Sequence, residues 1–206
     1  MSNNLDLKEN LINNDETENN IVDWNNNIDK LLASWCDNAK CYEWMHTQSY
    51  DFYSNKAKIF MITINILTTI SGLSNIIAGS YSIDGFQISW IFGSISIIAS
   101  TLNIIQDKLG YNQRSESHRK LISDWIIIRN KIEEVLILPP ASRKDCKTFL
   151  KYIKQDINNA ITEKNNMIPK QIREACNQKF KNIEHFDMPD ICGQIEHTKT
   201  YLEIKN

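Results

Sequence analysis

Asn65, Thr68, Thr69, Gly72 and Asn75 fall within one arc of roughly 120° when residues 59–78 are projected as a helix at about 100° per residue. Ser89, Gly93, Ser96, Ser100 and Asn103 do the same over residues 88–105. Ile62, Ile66, Ile70, Leu73 and Ile77 occupy the opposite face of the first segment, and Ile91, Ile95, Ile98, Leu102 and Ile105 that of the second. Thr63, Ser71, Ser74, Ser94 and Thr101 lie outside the two stripes. Amides and hydroxyls in such stripes can do two things. They can hydrogen-bond across a helix seam while small residues let the backbones approach. They can also hold water along a path when several copies assemble. The segments carry no charge, which speaks against proton pumping or voltage sensing but is compatible with a weakly selective pore.

Other chemistry has few candidates. The chain has no Gly-rich phosphate loop, no HExxH and no Ser/His/Asp ordering, and it has only four histidines. His46 sits on an aromatic helical face and reads as a packed or interfacial histidine. His118, in "RSESHRK", is expected in a solvated or headgroup-facing turn. Cys176, His185, Cys192 and His197 are spaced unlike any standard zinc finger, so no metal site is assigned. An enzyme is not expected, nor a cofactor, nor a nucleic-acid partner for a chain of net charge −2.

The elements that must position the stripes follow from charge and periodicity. Between Lys58 and Asp107 the only charged residue is Asp84, although the polar ends pull the mean hydropathy of the whole chain down to −0.39. Residues 59–78 and 88–105, each rising about 27–30 Å as a helix, match the hydrocarbon core of a bilayer. The short turn "GSYSIDGFQ" between them predicts an antiparallel pair. A buried hairpin in a soluble protein is the alternative, but such core helices usually keep a charged face. Lys56 and Lys58 precede the first span, and Lys108, Arg114, Arg119 and Lys120 follow the second, while the turn has no Lys or Arg. The positive-inside rule then predicts both termini in the cytoplasm.

Residues 1–20 form an Asn-rich, acidic tail expected to be disordered and unlike a secretory signal. Residues 21–56 predict a pre-membrane amphipathic helix, with Trp35, Ala39, Tyr42, His46, Ser49 and Tyr53 on one face. Residues 57–106 are the membrane hairpin and residues 107–165 a cytoplasmic helical hairpin. In that hairpin Leu121, Trp125, Ile128, Ile132 and Val135 face inward, Pro139 and Pro140 turn the corner, and Phe149, Ile153, Ile157 (or Asp156) and Ile161 answer from the second helix. Residues 166–206 give a short helix opening at Pro169 and an irregular tail. The five cysteines show no paired spacing, which fits a reducing compartment. Trp35, Tyr42, Trp44, His46, Tyr53 and Trp125 are expected to hold the helices together beyond the membrane.

The run Trp35, Ala39, Tyr42, Trp44, His46, followed by Tyr53 and by "LTTISG" at Leu67–Gly72, resembles the N-terminal part of the SLATT superfamily, in particular its branch in large nucleocytoplasmic DNA viruses. The resemblance covers about residues 30–165, including the Asp124-Trp125 helix. It implies two transmembrane helices continued into a helical cytoplasmic bundle, and a membrane-perturbing or pore-forming effector role in a host or virion membrane. The chain departs from bacterial members in carrying no recognisable nucleotide-sensing domain.

The expectation is therefore an all-α membrane protein: a two-helix transmembrane hairpin continued into a cytoplasmic helical bundle, embedded in lipid and associating with copies of itself. A non-catalytic scaffold, whose bundle binds another protein, is the alternative.

Overall fold

The structure, a computed structural model, describes residues 23–77, 82–83, 86–87, 89–163 and 167–193. The expected tail at 1–20, the end of the C-terminal tail and His197 lie outside the described residues. The fold is all-helical apart from one two-residue ladder.

Helix α1 runs unbroken from Asn26 to Ile77, 52 residues or about 78 Å. It joins the predicted pre-membrane helix to the first predicted span. Nothing in the sequence interrupts it, because the first proline is Pro139 and Gly72 falls only in its last turns. Its start is capped by Asn25, whose Oδ1 accepts from the N–H groups of Asn27 and Ile28 at 3.0 and 3.1 Å. The antiparallel ladder of β1 (Ser82–Ile83) and β2 (Phe86–Gln87) pairs Ser82 with Gln87 and Ile83 with Phe86.

Helix α2 (Ser89–Leu109) returns along the upper half of α1, and α3 (Tyr111–Ile137) continues along the lower half. A single residue separates them. Gly110 takes a left-handed conformation, φ 61° and ψ 32°, that glycine adopts without the clash a Cβ would bring. After the Pro140–Ser142 turn, α4 (Cys146–Thr162) begins at Asp145, whose carboxylate accepts from the Thr148 N–H at 2.7 Å. Helix α5 (Lys170–Phe180) starts one residue after Pro169 and is followed by a 3-10 turn at Asp190–Cys192.

Two cores flank the lower half of α1. On one side Leu32, Cys36 and Ala39 meet Leu121, Trp125, Ile128 and Ile132 of α3 and Ile153 and Ala160 of α4. The predicted inward face of α4 needs one correction: Ala160 is buried, whereas Ile161 is 46% exposed, because the contact row drifts one position along the helix. On the other side Cys41 and Met45 meet Ile168, Ile172 and Cys176, with Met188 and Cys192 closing over them.

Charged pairs run along the margins of these cores. Arg129 binds Glu43 at 2.7 Å and Lys131 binds Asp156 at 2.9 Å. Arg143, its side chain 4% exposed, binds Asp29 and lies over the Trp24 ring, tying the proline corner to the start of α1. Above residue 57 the character changes. Ile59, Ile62, Ile66 and Leu73 of α1 and Trp90, Ile97 and Ile104 of α2 are all more than half exposed.

Candidate functional site

The upper halves of α1 and α2 meet at Ser71. Its hydroxyl donates to the Phe92 carbonyl at 3.3 Å and contacts the Ser96 hydroxyl, so the Ser96 O–H points to Ser71. Ser71 is buried, as is Ala99 one turn below Ser96. Beside this contact lies an open groove of about 440 Å³ lined by Ile64, Thr68, Ser71, Gly72, Ser96, Ala99, Ser100 and Asn103. Five of the ten predicted stripe residues, Thr68, Gly72, Ser96, Ser100 and Asn103, are thus brought to one surface. Asn65, Thr69 and Gly93 are exposed and do not line it. Asn75 and Ser89 lie in the last turn of α1 and at the start of α2, and their side chains fall outside what is described.

Two details depart from the helical projection. Ser71 was expected outside the stripes and is instead the contact residue. The inter-helix line runs through Ile64, Thr68 and Ser71, at the edge of the polar arc and not through its centre. Gly72 and Gly93 do not serve close approach within the chain either, since a Cβ built on each meets nothing within 4 Å. Four other hydroxyls of these segments turn back on their own helices. Thr68 donates to the Ile64 carbonyl at 2.8 Å, Thr69 to Asn65 at 2.7 Å, Ser94 to Trp90 at 2.9 Å and Thr101 to Ile97 at 2.8 Å. These four hydroxyls are therefore satisfied within their own helices without water.

Below the groove, a column of aromatic rings fills the α1–α3 interface. Phe60 and Tyr53 both meet Tyr111, at 5.8 and 6.1 Å. Tyr53 stacks on His118 with centroids 5.5 Å apart and planes 5° apart. His118 faces His46 with the two Nδ1 atoms 2.8 Å apart. His46 stacks under Tyr42, which lies flat on Trp125 at 4.5 Å and 6°. Of the predicted bundle aromatics, Tyr42, His46, Tyr53 and Trp125 belong to this column. Trp35 packs at the edge of the first core, and Trp44 turns to the opposite side, edge-on to Phe180 at 6.1 Å.

His118 corrects the expectation of a solvated turn, since it is fully buried within α3. The charged neighbours Arg114, Glu116, Arg119 and Lys120 obscured its place, but the inward row Trp125, Leu121 extends back by three to His118 and by three more to Ser115, which is also buried. Burial holds the His46 imidazole down to about 3, helped by His118, and holds His118 down to about 4, helped by the nearby Arg114 guanidinium. The pair is accordingly neutral at physiological pH, one ring donating its Nδ1–H to the other. His118 Nε2 has no partner among the described residues.

Cys176 and Cys192 meet in the second core, where the hydrogen bond between them and burial push the Cys192 thiol up. Among the described residues, no group of three or more His, Cys, Asp or Glu is arranged to hold a metal. One stretch among the described residues, Asn26–Leu73 of α1, is long and apolar enough to cross a membrane, with 11% of its most apolar window buried. No protein-family model, curated protein or solved structure matches this chain.

Proposed function

We propose that the chain is a two-span integral membrane protein of SLATT type, both termini cytoplasmic, that assembles with copies of itself into a pore or membrane-perturbing oligomer. The observation that carries this reading is the division of the upper helices into two surfaces. Large apolar side chains, Ile62 and Ile66 on α1 and Ile97 and Ile104 on α2, are left uncovered. Thr68, Ser100 and Asn103 share the groove with the Ser71–Ser96 contact. In water that apolar band would be an aggregation liability, whereas in a bilayer it is the solvated face. Ser89–Leu109 supplies the second span, its only charges being Asp107 and Lys108 in the last turn.

The open space over Gly72 and Gly93 favours self-association. These are the positions at which another helix can come close in lipid, and the chain does not fill them itself. Two helices cannot enclose a lumen, so any path for water or ions lies between copies, with the groove turned inward. The neutral ring column lies beneath the groove in each hairpin.

The test is reconstitution of the full-length chain in planar bilayers, with its oligomeric state measured in nanodiscs. Conductance from an inserted oligomer, lost on Gly72→Leu with Ser100→Leu, supports the pore. Insertion and assembly with no current from the wild-type chain reject it, in favour of a scaffold whose bundle binds another protein.

A further inference from the structure

Two adjoining cavities, of about 370 and 400 Å³, lie on the flank of the bundle and share Tyr42, Trp125, Ile161 and Ile191. Their common wall is the flat Tyr42–Trp125 stack, an apolar platform. Trp125 is 1% exposed, yet its Nε1 has no hydrogen-bond partner among the described residues. Arg173 lines the second cavity with its Nε also buried and unpartnered, and no carboxylate pairs with it among the described residues. A buried donor left without an acceptor is destabilising. Both residues line the same cleft.

The charge around the cleft is mostly positive. Lys154, Lys170 and Arg173 contribute to the linings against a single carboxylate, Asp190, at the far cavity. Lys170 makes one exposed pair, with Glu174 at 3.5 Å. Lys170 also opens α5, whose N-cap Pro169 offers no side-chain acceptor, so the first N–H groups of that helix add partial positive charge.

We propose that this cleft binds a small amphiphilic anion. Its acidic head sits on Arg173, Lys170 and the start of α5. Its apolar body lies against Tyr42, Trp125 and Ile191. A soluble aromatic acid and a single-chain acidic lipid both present this chemistry. The site stands independently of the membrane reading.

The test is calorimetric titration of the full-length chain in nanodiscs with 2-naphthoate, and with uncharged 2-naphthamide as the control. Saturable binding of the acid, at least tenfold tighter than the amide, is expected. Arg173→Gln should weaken it at least tenfold, and Ile191→Trp, which fills the cleft, should abolish it. Partition into lipid is insensitive to either change. If Ile191→Trp does not fold, Arg173→Gln decides alone. Displacement of naphthoate by laurate identifies the lipid source, and displacement by benzoate the soluble one. The proposal is overturned by unsaturable heats, by equal binding of acid and amide, by indifference to the variants, or by failure of both competitors.

Discussion

His46 Nδ1 and His118 Nδ1 face each other at 2.8 Å across the α1–α3 interface, 72 residues apart in sequence. The contact holds only while at least one nitrogen lacks a proton. One added proton leaves a donor facing an acceptor, and a second sets two N–H groups against each other inside the ring column.

That geometry makes the fold acid-sensitive. Both imidazoles have folded-state values below the ordinary histidine value, to about 3 and about 4, with burial the first cause. The unfolded chain takes up these protons first, so stability is level above about pH 6.5 and falls as the pH drops from there toward the folded-state values. The expected slope is up to about 1.4 kcal/mol per pH unit for each histidine. Thermal melts between pH 8 and pH 4, monitored by helical circular dichroism, should show it. His46→Leu combined with His118→Leu should flatten the slope, leaving nothing at that contact to protonate.

The Ser71 contact gives a second expectation. Ser71→Ala removes the bonds to Ser96 and Phe92 and should cost about 0.6–2 kcal/mol in a lipid environment. Ser71→Leu inserts bulk into the seam and should cost about 1–3 kcal/mol while separating the upper helices. Asn65→Leu, at an exposed position, should change the monomer's stability little. A tryptic time course in detergent, together with melting temperature, ranks the three.

The all-helical class and the inward faces of the lower helices were readable from spacing. Alternation of three and four is a robust signal where one face is apolar and the other charged, as along Leu121, Trp125, Ile128 and Ile132. The same rule loses resolution where both faces avoid charge. Along residues 59–77, Ser, Thr, Asn and Gly mark a polar arc without saying which edge of it touches α2, so Ser71 was misplaced. His118 failed for another reason: its immediate neighbours are charged, and local composition outweighed the row it belongs to. The continuity of α1 followed from absent breakers, but the left-handed joint at Gly110 depends on how α2 and α3 align along α1, which no local pattern encodes.

Gly110 is itself testable. A Cβ there would lie 3.6 Å from Gln113 Oε1, an ordinary contact, so the cost of Gly110→Ala comes from backbone conformation alone. About 1 kcal/mol is expected, read as a lower melting midpoint with helical content unchanged. A neutral or stabilising effect would mean that α2 and α3 do not join through a left-handed residue.

The central proposal is that the hairpin of residues 57–106 is solvated by lipid, with Thr68, Ser100 and Asn103 turned away from it. Alkaline extraction of membranes from cells making the full-length chain, followed by size-exclusion chromatography of the washed fraction, tests this most directly. The account predicts that the chain stays with the bilayer through the alkaline wash and becomes monodisperse only with detergent or a nanodisc. A helical, monodisperse protein recovered from plain buffer would contradict it.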